Sequence, residues 1–305
     1  MTNGAEDLLV EAPPARPGRG GLARIGRGLA RQPAALSAGV ILALVFVAGL
    51  IVPTLAPHGS QIHLEDGAFN RPPTLSGWHL MGTTGLGQDV LLRSVQGLHA
   101  SEQIAVFGTI VATFIGVAVG AVAAYRGGWV DAALMRFADM LGIPPAIFVL
   151  LVLYFNFRPV TPLKASLILA CLLWIPVARV VRAEVVSLRS REFVQAAVSL
   201  GATDRRIFFR HLLPNLGSTI VVAGTTLFGQ LIMLEATVEF FRVSESETSQ
   251  PTLGGLIGFG KVLGIQLNYG WWTWAGPAFI LVVVLVCANL VGDGVAEALR
   301  PNSRR

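Results

Sequence analysis

Long apolar segments alternate with shorter polar ones along most of the chain. No Asp, Glu, Lys or Arg occurs in five stretches, 32–64, 103–125, 140–157, 211–234 and 262–292. A helix needs about 20 apolar residues to cross the hydrocarbon core of a bilayer. The pattern therefore predicts an all-α, polytopic membrane protein with six transmembrane helices, at about 34–55, 101–125, 136–157, 163–183, 216–240 and 271–293.

The composition agrees with lipid as the solvent for most of the chain. Hydrophobic residues make up 53% of the 305 positions and charged residues 13%, whereas about a quarter of a soluble domain is charged. Both cysteines, Cys171 and Cys287, lie in apolar segments, where free cysteine behaves as a small hydrophobic residue. We therefore expect neither a disulfide framework nor a cysteine-based metal or redox site.

The basic residues predict the orientation of the bundle. A net charge of +5 could indicate nucleic-acid binding, but the positions of the charges favour a topological role. Loops rich in Lys and Arg remain in the cytoplasm. With the amino terminus inside, 17 of the 23 Lys and Arg residues lie on the cytoplasmic side and six lie outside. Both termini and residues 184–215 are therefore expected in the cytoplasm.

Two short helices are predicted in the cytoplasmic stretch REFVQAAVSLGATDRRIFFRHLLPN, residues 191–215. Ser190 can cap the first helix, and Glu192 lies in the first turn, where the helix dipole favours an acid. The spacing i, i+3, i+4, i+7 creates one apolar face with two small residues at its centre. This face consists of Phe193, Ala196, Ala197 and Leu200.

A glycine separates the two predicted helices. Gly201 is expected to end the first in a left-handed conformation, and Thr203 or Asp204 can cap the second, which Pro214 ends. The second apolar face consists of Ile207, Phe208, His211 and Leu212. A solvated connecting loop is the simpler alternative, but the paired caps and faces favour a docking surface for a cytosolic partner. A DNA-binding helix-turn-helix is disfavoured because both ends re-enter the membrane within a few residues.

The same stretch resembles the signature of a known protein family. The matching positions are Glu192, Phe193, Val194, Ala196, Ala197, Gly201, Arg210, His211, Leu213, Pro214 and Asn215. They are similar to those of the inner-membrane permease subunits of binding-protein-dependent ABC importers for dipeptides, oligopeptides and nickel. Segments 82–97, 125–140 and 289–301 also look like family segments, so the resemblance covers about 35–301. It is closest to the second permease of the pair.

The resemblance implies a type I ABC importer-like permease domain that carries di- or oligopeptides across a bacterial inner membrane. The expected partners are a homologous permease in a heterodimer, two cytoplasmic ABC ATPases, an extracytoplasmic solute-binding protein and the lipid bilayer. The ATPases would bind ATP and magnesium, so this chain is expected to be no enzyme, to hold no cofactor and to bind no nucleic acid. The residues expected to couple it to the ATPases are Glu192, Phe193, Ala196, Ala197, Gly201, Asp204, Arg210, His211 and Pro214.

On this interpretation the chain has four parts. They are a disordered cytoplasmic tail (1–31), the first transmembrane helix with an extracytoplasmic loop (32–100), a core permease domain (101–295) and a cytoplasmic tail (296–305). The core domain contains the cytoplasmic coupling loop, residues 184–215. The first tail is rich in proline, glycine and arginine, a composition that cannot form a packed core.

Two alternative functions remain open from the sequence. The same architecture could import nickel or a metal chelate, although the irregular spacing of His58, His63, His79 and His99 is more typical of surface histidines than of a metal site. A non-transporting membrane receptor or anchor could also use residues 191–215 to recruit a cytosolic partner.

Several polar or small residues inside the predicted spans have candidate roles. Glu235 and Glu239 share a helix face near the outer membrane surface, where they can line a translocation path or simply be hydrated or paired with Arg242. Asp139 is expected to make interhelical bonds, and glycines 116 and 120 form a face suited to close helix contact.

One further motif can be mistaken for a nucleotide site. The stretch GLIGFGKV, 255–262, matches a phosphate-binding loop in its glycine and lysine positions, but Val262 stands where the motif requires Ser or Thr, and no buried strand precedes it. We expect a helix with small residues for close packing instead.

Overall fold

The computed structural model describes Gly26 and residues 32–55, 70–74, 79–85, 87–241, 251–266 and 270–299. Its helices are α1 (Pro33–Leu55), α2 (Val90–Arg126), α3 (Gly128–Gly142), α4 (Ala146–Asn156), α5 (Pro162–Arg189), α6 (Glu192–Ser199), α7 (Asp204–Ile207), α8 (Leu213–Phe241), α9 (Leu253–Gln266) and α10 (Trp272–Leu299). A π-helical turn, Phe208–Leu212, joins α7 to α8. Most of the two predicted tails lies outside the described residues.

Among the described residues, five helical segments are long and apolar enough to cross a membrane. They are α1, α2, α5, the continuous run Asp204–Phe241 and α10. Helices α3 and α4 pass the same test only as a pair, with an 82° bend between them. The part of the chain that the structure describes contains one isolated β-bridge, between Thr83 and Asp89, and is otherwise helical or irregular. The prediction of an all-α protein with several transmembrane helices is confirmed.

The third predicted span, 136–157, is wrong as a single straight helix. The helical region begins earlier, at Gly128, and breaks at Pro144 and Pro145 before α4 starts. Proline has no amide hydrogen, and it also disfavours helical dihedrals in the residue before it. Two consecutive prolines therefore end α3 and turn the chain through the 82° bend.

The second span starts well before its predicted position near residue 101. Helix α2 begins at Val90, where Asp89 caps it by accepting a hydrogen bond from the amide of Leu92 at 2.9 Å. The sequence prediction follows the charge-free stretch, but Arg93 and Glu102 are buried inside the helix bundle, with 7% and 6% of their surfaces exposed. Packing against other helices thus hides Arg93, a charged side chain that the prediction placed in the polar segment before the span.

Close contact between α2 and α5 forms the centre of the bundle. A methyl group on Gly116 would lie 2.8 Å from the carbonyl oxygen of Trp174, and one on Gly120 would collide with the carbonyl oxygen of Ala178. Glycines let two helix backbones approach to this distance. The predicted role of the small-residue face on α2 is therefore confirmed.

Helix α8 continues through Pro214, so the prediction that this proline ends a helix is wrong. The preceding π turn widens the backbone, and the amide of Leu213 donates to the carbonyl of Phe208, five residues earlier. The side-chain amide of Asn215 donates to the carbonyl of His211 at 2.6 Å. The helical run nevertheless extends unbroken from Asp204 to Phe241, with Pro214 near the end of the π turn and at the start of α8.

The GLIGFGKV stretch lies in α9, as expected from its small residues. A methyl group on Gly254 would collide with the backbone of Ala236 in α8, and one on Gly260 would lie 3.0 Å from the backbone of Thr273 in α10. The glycines therefore serve helix packing, and no strand precedes them within the described residues.

Candidate functional site

The stretch predicted to dock a partner, residues 191–215, forms a short helix, a turn and the start of a long helical run at one end of the bundle, and we call it the two-helix element. Its first helix, α6, has Arg191 at its N-cap and Glu192 in its first turn. The predicted cap by Ser190 is wrong. Ser190 instead ends α5, and its hydroxyl donates to the carbonyl of Ser187 at 2.8 Å.

A tight turn at Gly201 reverses the chain after α6. Gly201 has a φ of 73°, and its amide donates to the carbonyl of Val198 at 2.9 Å. The amide of Ala202 donates to the carbonyl of Ala197 at 3.0 Å. These bonds satisfy carbonyls that the end of a helix leaves open. The left-handed stop predicted at Gly201 is therefore confirmed.

The second helix of the element begins at Asp204. Thr203 occupies its N-cap, one of the two predicted positions, but its side chain makes no capping hydrogen bond. The Asp204 carboxylate instead accepts a hydrogen bond from the hydroxyl of Tyr125, at the end of α2.

Apolar anchors hold the element against the bundle while a second apolar set faces outward. Val194, Ile207 and Leu212 are each 3% exposed or less and belong to the main core cluster. In contrast, Phe193 is 37% exposed and Leu200 is 88% exposed. Outward-facing apolar side chains on an organised element are typical of a surface that another protein covers.

The predicted coupling residues are distributed over this outer surface. Exposed among them are Glu192, Phe193, Ala196, Gly201, Asp204, Arg210 and Pro214, whereas Ala197 and His211 are half-buried. Beside them lies a depression of about 390 Å³, lined by Thr203, Arg205, Arg206 and Phe209. Its two guanidinium groups and aromatic ring are suited to an acidic or aromatic side chain of a partner.

Two ion pairs connect α5 to α3 near the same end of the bundle. The guanidinium of Arg182 donates to both oxygens of Asp131, each at 2.5 Å. Arg179 donates to Asp139 at 2.8 Å. The interhelical bonding expected of Asp139 is therefore confirmed.

The two acids predicted to line a path differ in their surroundings. Glu235 is fully buried in α8, beside the hydroxyl groups of Ser101 and Thr252. Neither carboxyl oxygen makes a hydrogen bond of good geometry within the described residues. Glu239, one turn later, is half-buried. Their role in translocation stays a prediction.

A polar stripe along α8 is a candidate site that the sequence prediction missed. It consists of Asn215, Thr219, Thr226, Gln230 and Thr237, which we call the α8 stripe. Steps of four, seven, four and seven residues place all five on one helix face. Thr226 and Gln230 are exposed, and the other three are half-buried. The seven-residue spacing was the available signal, but single uncharged residues do not stand out in a hydropathy profile.

Comparison with known proteins agrees with this architecture. Residues 116–305 match the family described as the inner membrane component of binding-protein-dependent transport systems. This chain belongs to that family. The matched region of this family member includes the whole two-helix element and the α8 stripe, whereas α1 and the first part of α2 precede it.

Curated relatives extend the similarity over most of the permease chain. It is 34% identical over 285 residues to the oligopeptide transport system permease protein OppC of Mycobacterium tuberculosis (strain ATCC 25618 / H37Rv), covering 91% of this chain and 94% of that protein. It is 31% identical over 277 residues to the OppC protein of Haemophilus influenzae, covering 90% and 86%.

The histidines considered for metal binding have other partners where they are described. His79 bonds to Asp89 at 2.9 Å, and His99 bonds to Gln103 at 2.9 Å. The described residues contain no group of three or more His, Cys, Asp or Glu side chains that could hold a metal ion. His58 and His63 lie outside the described residues.

Proposed function

We propose that this permease is one of two membrane subunits of an ABC importer for oligopeptides. The observation that carries the proposal is the two-helix element, which presents outward-facing apolar and basic side chains at one end of a membrane bundle. Family membership supports it, as do relatives that are named oligopeptide permeases and align over most of the chain.

The two-helix element would be the docking site for a cytosolic ATPase. Phe193 and Leu200 supply exposed apolar area, and Ala196 lets a partner backbone approach closely. Arg205 and Arg206 line the neighbouring depression. They can make charge-assisted hydrogen bonds that fix the orientation of the bound ATPase. The partner would then bind ATP and magnesium and hydrolyse the ATP. That hydrolysis would change the conformation of this chain, which is itself no enzyme.

The complete transporter would contain a homologous permease, two ATPases and an extracytoplasmic solute-binding protein. We place it in the bacterial cytoplasmic membrane with both termini of this chain inside. The excess of arginine in the segments joined to those termini, and in the two-helix element, supports this orientation.

The α8 stripe would form this chain's wall of the translocation path. A glutamine side chain exposed to lipid would leave its amide groups without hydrogen-bonding partners, so Gln230 favours a water-filled surface. Uncharged hydroxyl and amide groups can hydrogen-bond to the backbone of a peptide, and this interaction does not depend on which side chains the peptide carries. Glu235 of α8 is buried beside Ser101 and Thr252. Its carboxyl group could therefore reach a substrate only if the segments that carry these three residues move apart.

Transport by the reconstituted complex tests the proposal. Vesicles containing this permease, its partner permease and the ATPases should accumulate a fluorescent oligopeptide when loaded binding protein and ATP are supplied. Accumulation of nickel but not of peptide would favour the metal-import alternative. Assembly without any solute accumulation or stimulation of ATP hydrolysis would identify a receptor or anchor instead.

A further inference from the structure

The two-helix element is hydrogen-bonded to the carboxyl end of α2 through one tyrosine. The hydroxyl of Tyr125, the penultimate residue of α2, donates to Oδ1 of Asp204 at 2.6 Å. Asp204 is the first residue of the continuous helical run that reaches Phe241. A single hydrogen bond to a charged group therefore joins the carboxyl end of one membrane-spanning helix to the amino end of another.

An arginine from a third helix holds the same tyrosine. Arg189, the last residue of α5, donates from Nη1 to the carbonyls of Ala124 and Tyr125, at 2.8 and 3.0 Å. These carbonyls belong to the last turn of α2, where intrahelical partners are lacking. The guanidinium carbon of Arg189 also lies 5.2 Å from the centre of the Tyr125 ring. Arg189 therefore contacts both the backbone and the ring of Tyr125, while the Tyr125 hydroxyl bonds to Asp204.

The structure behind Tyr125 is suited to carry a displacement into the membrane. Gly116 and Gly120 bring the backbone of α2 into direct contact with α5, so these two helices form a close-packed pair. No free volume separates the two backbones at this contact, so a displacement of one helix is passed to the other. A movement of Asp204 that pulls on the tyrosine hydroxyl would therefore move both helices.

The apolar anchors of the element would not transmit direction in the same way. Val194, Ile207 and Leu212 are buried in the core cluster, and their contacts depend on area rather than on angle. The Tyr125 hydroxyl fixes both the distance and the direction to Asp204. Anchoring and directional transmission are therefore separate tasks of different residues.

We propose that Tyr125 is the positioning residue that transmits movement of the two-helix element to the paired helices α2 and α5. The proposal rests on the proposed docking of an ATPase at that element. It adds a requirement that docking alone does not impose: the hydroxyl of Tyr125 should matter for the coupling of hydrolysis to transport after the complex has assembled.

The substitution Tyr125→Phe tests this in the full reconstituted transporter. It removes the hydroxyl and keeps the ring beneath Arg189. ATPase copurification should match that of the unmodified complex, whereas peptide transported per ATP hydrolysed should fall by about threefold to tenfold, the range for an exposed hydrogen bond to a charged group. Ser190→Ala is a matched control, because it removes a nearby hydroxyl that bonds only within its own turn.

Variants of Asp204 examine the same bond from the other side. Asp204→Asn keeps an oxygen acceptor and should transport more efficiently than Asp204→Ala. The double variant Tyr125→Phe/Asp204→Ala should lose no more efficiency than the more impaired single variant, since both remove one bond. If Tyr125→Phe is not recovered in the membrane, the two Asp204 variants still test the inference. A higher transport efficiency of Asp204→Asn than of Asp204→Ala supports it, and equal efficiencies contradict it.

Two results would overturn the inference. Unchanged transport efficiency in Tyr125→Phe would show that the hydroxyl carries no coupling, and lost copurification of the ATPases would show that it serves assembly. Failure of the proposed function itself would differ from both, because the unmodified complex would then neither bind the ATPases nor accumulate peptide.

Discussion

Gly120 of α2 lies so close to Ala178 of α5 that a methyl group on the glycine would collide with the alanine's carbonyl oxygen. This contact makes α2 and α5 a closely packed pair across the centre of the bundle. The two-helix element follows directly on α5 and is bonded to the end of α2, so the pair connects that element to the membrane-spanning region.

The first prediction concerns this helix contact. Gly120→Ala should separate α2 from α5 and destabilise the protein by about 1–3 kcal/mol, the usual cost of overpacking. The melting temperature in detergent should therefore fall by several degrees. Gly142→Ala is the control, because no atom lies within 4 Å of the position a methyl group would take there, and it should leave the melting temperature unchanged.

The second prediction concerns Ala197, a half-buried residue of α6. Ala197→Arg should leave membrane insertion intact but reduce ATPase copurification by about tenfold or more, because an unpaired charge would be buried in the interface. Gln195→Arg adds the same charge on the opposite side of the helix and should have little effect. Equal copurification of both variants would count against docking through the alanine face.

The third prediction compares two ion pairs. Arg182→Ala should destabilise the bundle by about 1–2 kcal/mol, because it removes two hydrogen bonds to Asp131 from a partly buried site. Asp139→Asn should cost less than about 1 kcal/mol, since the Arg179–Asp139 pair is more than half exposed on both sides. Thermal unfolding in detergent measures both, and a larger effect at Asp139 would contradict this ranking.

The fourth prediction tests the water-filled surface proposed for α8. In a variant with Cys171 and Cys287 replaced by alanine, Gln230→Cys should react with a charged, membrane-impermeant thiol reagent during turnover. Leu44 of α1 is 64% exposed, and Leu44→Cys should remain unlabelled because lipid would cover it. Protection of Gln230→Cys under all conditions, with and without binding protein and ATP, would exclude this residue from an aqueous path.

The local features of the candidate site could be predicted from the sequence. The left-handed turn at Gly201 and the acid in the first turn of α6 depend on neighbours within one helical turn. The presence of several transmembrane helices was equally accessible, because lipid requires about 20 apolar residues in every span. Each of these constraints acts on a contiguous piece of chain.

Other predictions failed where two pieces of chain interact. Ser190 was expected to cap α6, but it ends α5 instead, since α5 extends to Arg189. Pro214 was expected to end a helix, but it follows a π turn inside one continuous helical run. The early start of α2 was hidden because a charged residue such as Arg93 resembles a loop residue in sequence, although other helices bury it.

The sequence alone therefore determined the membrane class, the family resemblance and the helix, turn and helix of the two-helix element, because apolar runs and turn chemistry act locally. Only the tertiary structure decided that the Tyr125 hydroxyl meets Asp204, 79 positions away, and that Glu235 is enclosed. Hydrogen bonds and burial of this kind depend on how helices pack against each other, and no spacing within a single helix contains that information.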